Sequence, residues 1–411
     1  MSTPTSPIAD STLTAAPGIL TQKARIESID IMRGLVMVIM ALDHARDFYH
    51  ADAALFDPTD LTKTTPVLFL TRFITHFCAP TFVLLAGTSV RIRQQRRSKG
   101  EMSSFLLTRG LWLILLEVTL IRFGLFFQWY YDVTLFQVIW AIGICMVVLA
   151  ALIRLPFNAI LALAIAITAG HNILDAVNLK PGDPFAVLWL FVHQAGFMQL
   201  NSGHAALVPY PFLPWLGIML LGYCMGEWYT SRFSASQRRT LLMRTGMAAL
   251  LLFLVLRSFN LYGDPSPWSQ QKNVIYTVLS FINVTKYPVS LLYTLLTLGP
   301  ILILLSVLEK SKTQLLNPFL VVGRVPLFYY VPHFYLLHAG ALALLLIRRG
   351  NGFSGLDFHF SAGFGGIPAG SGYPLIVAYI AWLAVVVILY PLCKRYNSYK
   401  STHKHWWLSY L

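Results

Sequence analysis

The chain has 411 residues, of which 56% are hydrophobic and only 12% are charged, with a mean hydropathy of +0.62. A soluble domain carries about a quarter charged residues, so this composition argues against one. Apolar segments of 18 or more residues recur, which predicts an all-α, polytopic transmembrane helical bundle. The formal net charge of +14 comes from Lys and Arg in short loops, as the positive-inside rule expects. Nucleic acid is therefore not predicted as a partner, whereas the lipid bilayer is.

The hydropathy pattern predicts about ten membrane helices with both termini in the cytoplasm. The basic sequence RIRQQRRSK, at residues 91–99, marks a cytoplasmic loop and fixes this orientation. The predicted helices run over residues 29–50, 66–90, 103–126, 134–153, 157–177, from 211, 241–261, from 286, 317–347 and 374–393. In terms of domains, we expect a disordered tail at 1–25, a membrane domain at 26–395 and a basic, aromatic cytoplasmic tail at 396–411.

The cysteines predict no redox or metal chemistry. All four lie in apolar runs without the spacing of a metal-binding motif, which is typical of small core residues. They are Cys78, Cys145, Cys224 and Cys393. We therefore predict neither a disulfide nor a bound metal.

The first predicted helix, IDIMRGLVMVIMALDHARDFYH, combines a membrane-like length with seven ionisable residues. A charged group deep in a bilayer costs at least ~3 kcal/mol, so it is a functional-site hypothesis by default. Arg33 and His44 are eleven residues apart, which is about three helical turns. Both side chains therefore fall on one helix face, roughly 16 Å apart along the axis.

This spacing favours acyl transfer from an acyl-coenzyme A. Arg33 can hold a phosphate at the cytoplasmic end, while the pantetheine arm runs along the helix to His44. His44 would act as the general base on an acceptor amine or hydroxyl, with Asp47 three residues on to orient its ring. His50 is the rival candidate for the base because it lies closer to the outer surface. The alternative is that Arg33 snorkels and His44 is a buried packing residue.

Further polar residues on later helices complete the candidate site. Arg324 has the right predicted depth for a second phosphate contact, so we assign donor binding to it and to Arg33. Pro326 and Pro332 are predicted to break that helix, which would then line a cavity. The candidate acceptor-binding residues are His76, His333 and Lys286.

Three stretches resemble a known family. RIESIDIMRGLVMVIMALDHARDFYH, FITHFCAPTFVLLAGTSV and GRVPLFYYVPHFYLLH are similar to bacterial relatives of the heparan-α-glucosaminide N-acetyltransferase catalytic domain. The resemblance implies an integral-membrane acetyltransferase that takes acetyl-CoA from the cytoplasm. It implies a glycan-type acceptor on the outer side, with His44 as base and Arg33 at the donor.

Two classes of function remain open from the sequence. The first is this acetyltransferase, expected in a bacterial inner membrane, with a homodimer left open. The second is a transporter or flippase of a polar or lipid-linked sugar, in which the intramembrane charges would line a translocation path. Motifs for nucleoside triphosphate binding or serine hydrolysis are missing from the sequence, which disfavours those functions.

Overall fold

The structure is a computed structural model that describes residues 26–310, 314–403 and 405–409. The tail predicted at 1–25 lies outside the described residues. The fold is mostly helical, as the sequence predicts. Its α-helices are α1 (Glu27–Tyr49), α2 (Pro66–Thr75), α3 (Cys78–Gln94), α4 (Lys99–Leu116), α5 (Arg122–Phe126), α6 (Val138–Leu152), α7 (Phe157–Gly170), α8 (Ala186–Val192), α9 (Phe212–Met225), α10 (Ala235–Ser258), α11 (Val274–Ile282), α12 (Leu291–Leu308), α13 (Asn317–Arg324), α14 (Pro326–Arg349) and α15 (Leu375–Thr402).

Within the described residues, seven helical spans are long and apolar enough to cross a membrane. The protein is therefore an integral membrane protein, while the number of ten spans and the cytoplasmic termini stay predictions. The spans are Pro66–Gln94, Lys99–Phe126, Phe157–Ala176, Ala235–Ser258, Leu291–Leu308, Pro326–Arg349 and Leu375–Thr402. The last one passes residue 393, where we predicted its end, and so enters the segment assigned to the C-terminal tail.

The helix predicted at 66–90 is interrupted between α2 and α3, at His76 and Phe77. Pro80 explains the interruption, because it has no N–H to donate to the carbonyl of His76 four residues earlier. The hydroxyl of Tyr293 donates to that carbonyl instead, at 2.6 Å. The break therefore docks this span on α12.

The helix predicted at 317–347 is broken at one of its two prolines. α13 ends at Arg324, and Val325 leaves helical geometry with φ −131° and ψ 51°. Pro326 then begins α14, because a residue before proline is disfavoured in helical conformation. α14 continues through Pro332, so the second predicted break is wrong.

A small sheet replaces the beginning of the helix predicted at 134–153. β1 (Val133–Leu135) pairs in parallel with β3 (His204–Val208), which pairs antiparallel with β2 (Gly196–Asn201). Two further short strands, β4 (Gly363–Phe364) and β5 (Ile367–Pro368), form an antiparallel pair. These sheets lie in segments that join helices, and the first leads directly into the candidate site.

α1 occupies the centre of the bundle. It packs on α2, α3, α12, α13, α14 and α15, and most of its residues are buried. Its closest neighbour is α13, because Gly34 and Gly323 let the two backbones touch. A Cβ added to Gly34 would lie 1.8 Å from the carbonyl oxygen of Phe319. α1 therefore carries its polar residues through the interior of the protein.

Candidate active site

A cavity of about 130 Å³ lies beside the second half of α1, between that helix, the α2–α3 break and α14. The loops at 209–210 and 286–287 form part of its wall. The polar and charged residues of the wall are Asp43, His44, Arg46, Asp47, Arg72, Thr75, Gln137, Tyr210, Lys286, Tyr287 and Tyr330. So many ionisable groups in the interior of a membrane protein make this cavity the candidate functional site.

His44 faces this cavity with 14% of its side chain exposed. Its Nδ1 lies 3.8 Å from Asp47 Oδ2, one turn further along α1. This distance is too long for a hydrogen bond, so Asp47 acts on the imidazole here through its charge. The other side of the ring packs against Phe334, at 4.4 Å between ring centroids, and against His333, at 5.2 Å. α14 therefore holds the ring in place.

The carboxylates near His44 are tied to two arginines. Arg72 Nη1 donates to Asp43 Oδ2. Arg46 Nη2 donates to Asp47 Oδ1 at 2.5 Å and lies 3.0 Å from Asp43 Oδ1. Together with Lys286, three cations meet two carboxylates around the cavity. This excess of positive charge favours an anionic or electron-rich ligand.

Some polar atoms in this network have no hydrogen-bond partner among the described residues, although Asp43 Oδ1 keeps its ion pair with Arg46. Arg46 Nε and Nη1 are buried without an acceptor, and Asp43 Oδ1 receives no hydrogen bond. Buried polar groups of this kind are normally satisfied, and each exception asks for a water or a ligand. Arg46, whose side chain lines the cavity, therefore has donor capacity left for an acceptor oxygen.

Aromatic hydroxyls and Lys286 close the opposite wall. Arg72 Nη2 donates to the hydroxyl of Tyr287 at 3.3 Å. Lys286 Nζ lies 5.1 Å from the ring centre of Tyr287 and 5.8 Å from that of Tyr210, within reach of cation–π attraction. Lys286 thus lines the cavity as a candidate acceptor-binding residue.

The cavity continues into a second depression of about 310 Å³ that shares Arg46, Asp47 and Arg72 with it. The loop at 53–58, which follows α1, forms the rest of this depression. We call it the vestibule. If the predicted orientation holds, this loop faces the outer side and the vestibule is the entrance for an outer ligand.

The structure places three of the predicted histidines outside the cavity wall. His50 follows α1, where its Nδ1 accepts from the backbone N–H of Asp52 at 3.3 Å. His76 lies at the α2–α3 break, 5.5 Å from the ring of Tyr293. His333 is fully buried behind His44. Only His44 of these four lines the cavity.

The two predicted donor-binding arginines both lie near the beginning of α1, at the end away from the cavity. Arg33 donates to the carbonyl of Gly323 at 3.3 Å and to Ser89 Oγ at 3.2 Å. Arg324 Nη2 lies 3.5 Å from Glu27 Oε1. Neither arginine lines the cavity around His44. The predicted donor site and the cavity are therefore connected by α1, but they do not share a cavity wall in the described structure.

Arg72, Asp43, Tyr210 and Tyr287 were missed by the sequence analysis as site residues. A signal for Arg72 existed, because it is the only charged residue in the apolar segment PVLFLTRFIT. Tyr210 and Tyr287 carried no comparable signal, since aromatic residues are abundant throughout this chain.

The bundle and its buried polar cavity define a class: an integral membrane protein with an imidazole and several charges around an internal cavity. Residues 25–262 match the family model described as heparan-alpha-glucosaminide N-acetyltransferase, catalytic. The match spans more than half of the chain, so the protein belongs to this family, which confirms the resemblance noted in its sequence. Membership implies membrane acetyltransferase activity in general. A comparison with curated proteins found no match.

The family match includes α1 and α2, and therefore His44, Asp47 and Arg72. It ends before Lys286 and α14. The cavity residues from the last third of the chain are therefore assigned to the site by geometry alone.

Proposed function

We propose that the protein transfers an acetyl group from cytoplasmic acetyl-CoA to an amine or hydroxyl of a glycan-type acceptor on the outer side of a bacterial inner membrane. The observation that carries this proposal is the exposure of the His44 imidazole to a charged cavity beside α1, a helix that lies within the family match. The proposal needs no metal, and acetyl-CoA serves as a substrate.

His44 is the general base in this proposal. Its imidazole takes the proton of the acceptor amine or hydroxyl as the nucleophile attacks the thioester carbonyl. The new C–N or C–O bond forms, the C–S bond breaks, and the proton passes to the leaving CoA thiolate. The charge of Asp47, 3.8 Å away, stabilises the imidazolium between these two steps.

The cations of the cavity stabilise the oxyanion that develops on the thioester carbonyl. Arg46 suits this role because two of its nitrogens are buried without an acceptor. Preorganised donors aimed at developing charge lower the barrier of such a reaction strongly, because they need no rearrangement as the charge appears. Arg72 and Lys286 add positive charge, and Lys286 contacts the acceptor that enters through the vestibule.

The remaining residues position the substrates. Arg33 and Arg324 hold the phosphates of CoA at the beginning of α1, roughly 16 Å from His44. His333 supports the His44 ring from behind and does not contact the acceptor directly. His76 lies one layer behind the wall and acts on the acceptor only through its neighbours.

The test follows CoA release by the purified protein with acetyl-CoA and a panel of amino sugars. His44→Gln is expected to lower kcat by about 100-fold or more, which is the usual contribution of a general base. His50→Gln is the matched control, because it removes the rival imidazole outside the cavity, and it should keep the wild-type rate. Thermal melting checks that both variants fold.

Other outcomes would overturn parts of the proposal. A large loss in His50→Gln with normal turnover in His44→Gln would move the base to His50. Normal turnover in both would remove imidazole catalysis. Acetyl-CoA should also raise the melting temperature of the wild type, since a ligand that binds the native state stabilises it. A transporter of sugars would show no such shift.

A further inference from the structure

A cluster of metal-ligating side chains lies away from the cavity, where α7 ends. His171 and Asp175 belong to the 3₁₀ helix His171–Ala176, and His193 directly follows α8. One ligand atom from each of the three side chains lies within 4.8 Å of the other two. His171 is 4% exposed and His193 is 2% exposed, so the imidazoles face the protein interior.

The hydrogen bonds of the cluster leave part of it unsatisfied. His193 Nε2 lies 2.9 Å from Asp175 Oδ1, and Asn172 Nδ2 donates to Asp175 Oδ2 at 2.8 Å. The Nδ1 atoms of His171 and His193 are buried without a hydrogen-bond partner among the described residues. Leaving such a nitrogen unpaired is costly, so the orphaned Nδ1 of the buried His171, together with the approach of His193 Nε2 to Asp175, indicates that a partner belongs in this cluster.

We propose that His171, Asp175 and His193 bind a divalent transition-metal ion, with Zn²⁺ as the best match. Two imidazoles and one carboxylate are a ligand set that suits Zn²⁺, and water completes the fourth position. Bonds of 2.0–2.2 Å place tetrahedral ligand atoms about 3.3 Å apart. The 2.9 Å between His193 Nε2 and Asp175 Oδ1 therefore widens slightly on binding, and a separation at the 4.8 Å limit shortens by about 1.5 Å. His193 binds as a neutral imidazole: Nε2 becomes the free ligand nitrogen, Nδ1 carries the ring proton, and the hydrogen bond to Asp175 is replaced by two bonds to the metal.

The metal would join α7 to the segment that leads into the cavity wall. Beyond His193 the chain forms β2 and β3 and then reaches Pro209 and Tyr210, which line the cavity. On the other side of the cluster, Asn172 Oδ1 accepts from the backbone N–H of Leu291, at the beginning of α12. The ion therefore acts as a clamp between α7, α8 and α12, independently of acetyl transfer.

The experiment uses the full chain, purified in detergent without a polyhistidine tag and stripped of metal with a chelator. Zn²⁺ is titrated, bound metal per chain is measured after gel filtration, and Co²⁺ serves as a spectroscopic probe of the ligand geometry. The variants are His171→Ala, His193→Ala and Asp175→Asn. Asp175→Asn keeps a hydrogen-bond acceptor for His193, so it tests the site even where an alanine variant fails to fold.

Two control variants test whether histidines outside the cluster bind Zn²⁺. His204→Ala removes an exposed imidazole from the nearby strand β3. The double variant of His403→Ala and His405→Ala removes two exposed imidazoles near the C-terminus, whose rings lie 5.8 Å apart. Both controls should retain one Zn²⁺ per chain.

The proposal predicts one equivalent of Zn²⁺ in the wild type and a melting temperature that rises with Zn²⁺. The ligand variants should bind Zn²⁺ at least about tenfold more weakly and lose that rise. The proposal is overturned if the stripped wild type takes up no Zn²⁺. It is also overturned if the three ligand variants bind as the wild type does, or if only the double variant near the C-terminus loses the metal.

Discussion

At the scale of single residues, the pairing of Asp43 with Arg72 organises the candidate site. The two side chains are 11% and 12% exposed, and Arg72 also reaches the hydroxyl of Tyr287. A buried charge pair is worth little compared with well-packed apolar residues, but removing one partner leaves an uncompensated charge. The pair therefore links α1 to α2 and to the loop at 286–287, and its loss should be felt as instability.

Replacing one member of this pair should destabilise the protein strongly. We expect Arg72→Met to lower the free energy of unfolding by about 3–5 kcal/mol, because the buried Asp43 carboxylate loses one of its two arginine partners. The double variant of Arg72→Met and Asp43→Asn should recover a large part of that loss. Melting temperatures of the two single variants, the double variant and the wild type measure the coupling.

Lys63 and Asp60 provide the control for this cycle. They form an exposed pair 4.0 Å apart, and such surface pairs contribute at most about 1 kcal/mol. Lys63→Met and Asp60→Asn should therefore show almost no coupling. Additive effects in the Arg72 and Asp43 cycle would contradict the pairing.

At the scale of elements, the contact of α1 with α13 determines where the predicted donor-binding arginines lie. A Cβ on Gly323 would lie 1.7 Å from the carbonyl oxygen of Asp30, so only glycine permits this approach. The same contact puts the Gly323 carbonyl within 3.3 Å of Arg33 and brings Arg324 next to the beginning of α1. A change in helix spacing should therefore affect folding and donor binding together.

Gly323→Ala should push α1 and α13 apart. Overpacking of this kind costs typically about 1–3 kcal/mol, and backbone atoms on the receiving side cannot rotate away. We expect a lower melting temperature and, where the variant folds, a raised KM for acetyl-CoA. Gly100→Ala is the matched control, because a Cβ there meets nothing within 4 Å. Equal melting temperatures for the two variants would contradict the close packing of α1 against α13.

At the scale of the whole molecule, the orientation of the bundle rests on its basic loops. Arg348 and Arg349 lie at an end predicted to face outward, against the charge rule, but the structure gives both a partner. Arg348 donates to the carbonyl of Ser371, and Arg349 donates to that of Ser354 at 2.9 Å. Because they bind carbonyls of the loop that follows α14, these arginines contribute to its structure and are a weaker topological signal than the Arg91–Lys99 cluster.

The predicted orientation can be tested by labelling single added cysteines. The four native cysteines are buried, so background labelling by a membrane-impermeant maleimide should be low. Ala54→Cys, in the vestibule loop, should react on intact cells. Gln95→Cys, at the basic loop, should react only after the membrane is opened. The reverse pattern would place the vestibule in the cytoplasm and contradict the proposed direction of transfer.

The sequence by itself determined the membrane class, the location of most long helices and the importance of α1. These properties are local, because hydropathy and charge along a continuous segment decide whether it partitions into lipid. His44 and Asp47 could be paired from the sequence for the same reason, since one helical turn fixes their distance.

Only the tertiary structure decided which residues share the cavity with His44. Arg72, Tyr210, Lys286 and Tyr287 come from three distant parts of the chain, and no periodicity relates them. The breaks at His76 and Val325 and the short strand β1 also depend on partners elsewhere, such as Tyr293 and β3. Contacts between distant segments depend on how helices pack, which a local pattern of apolar residues leaves undetermined.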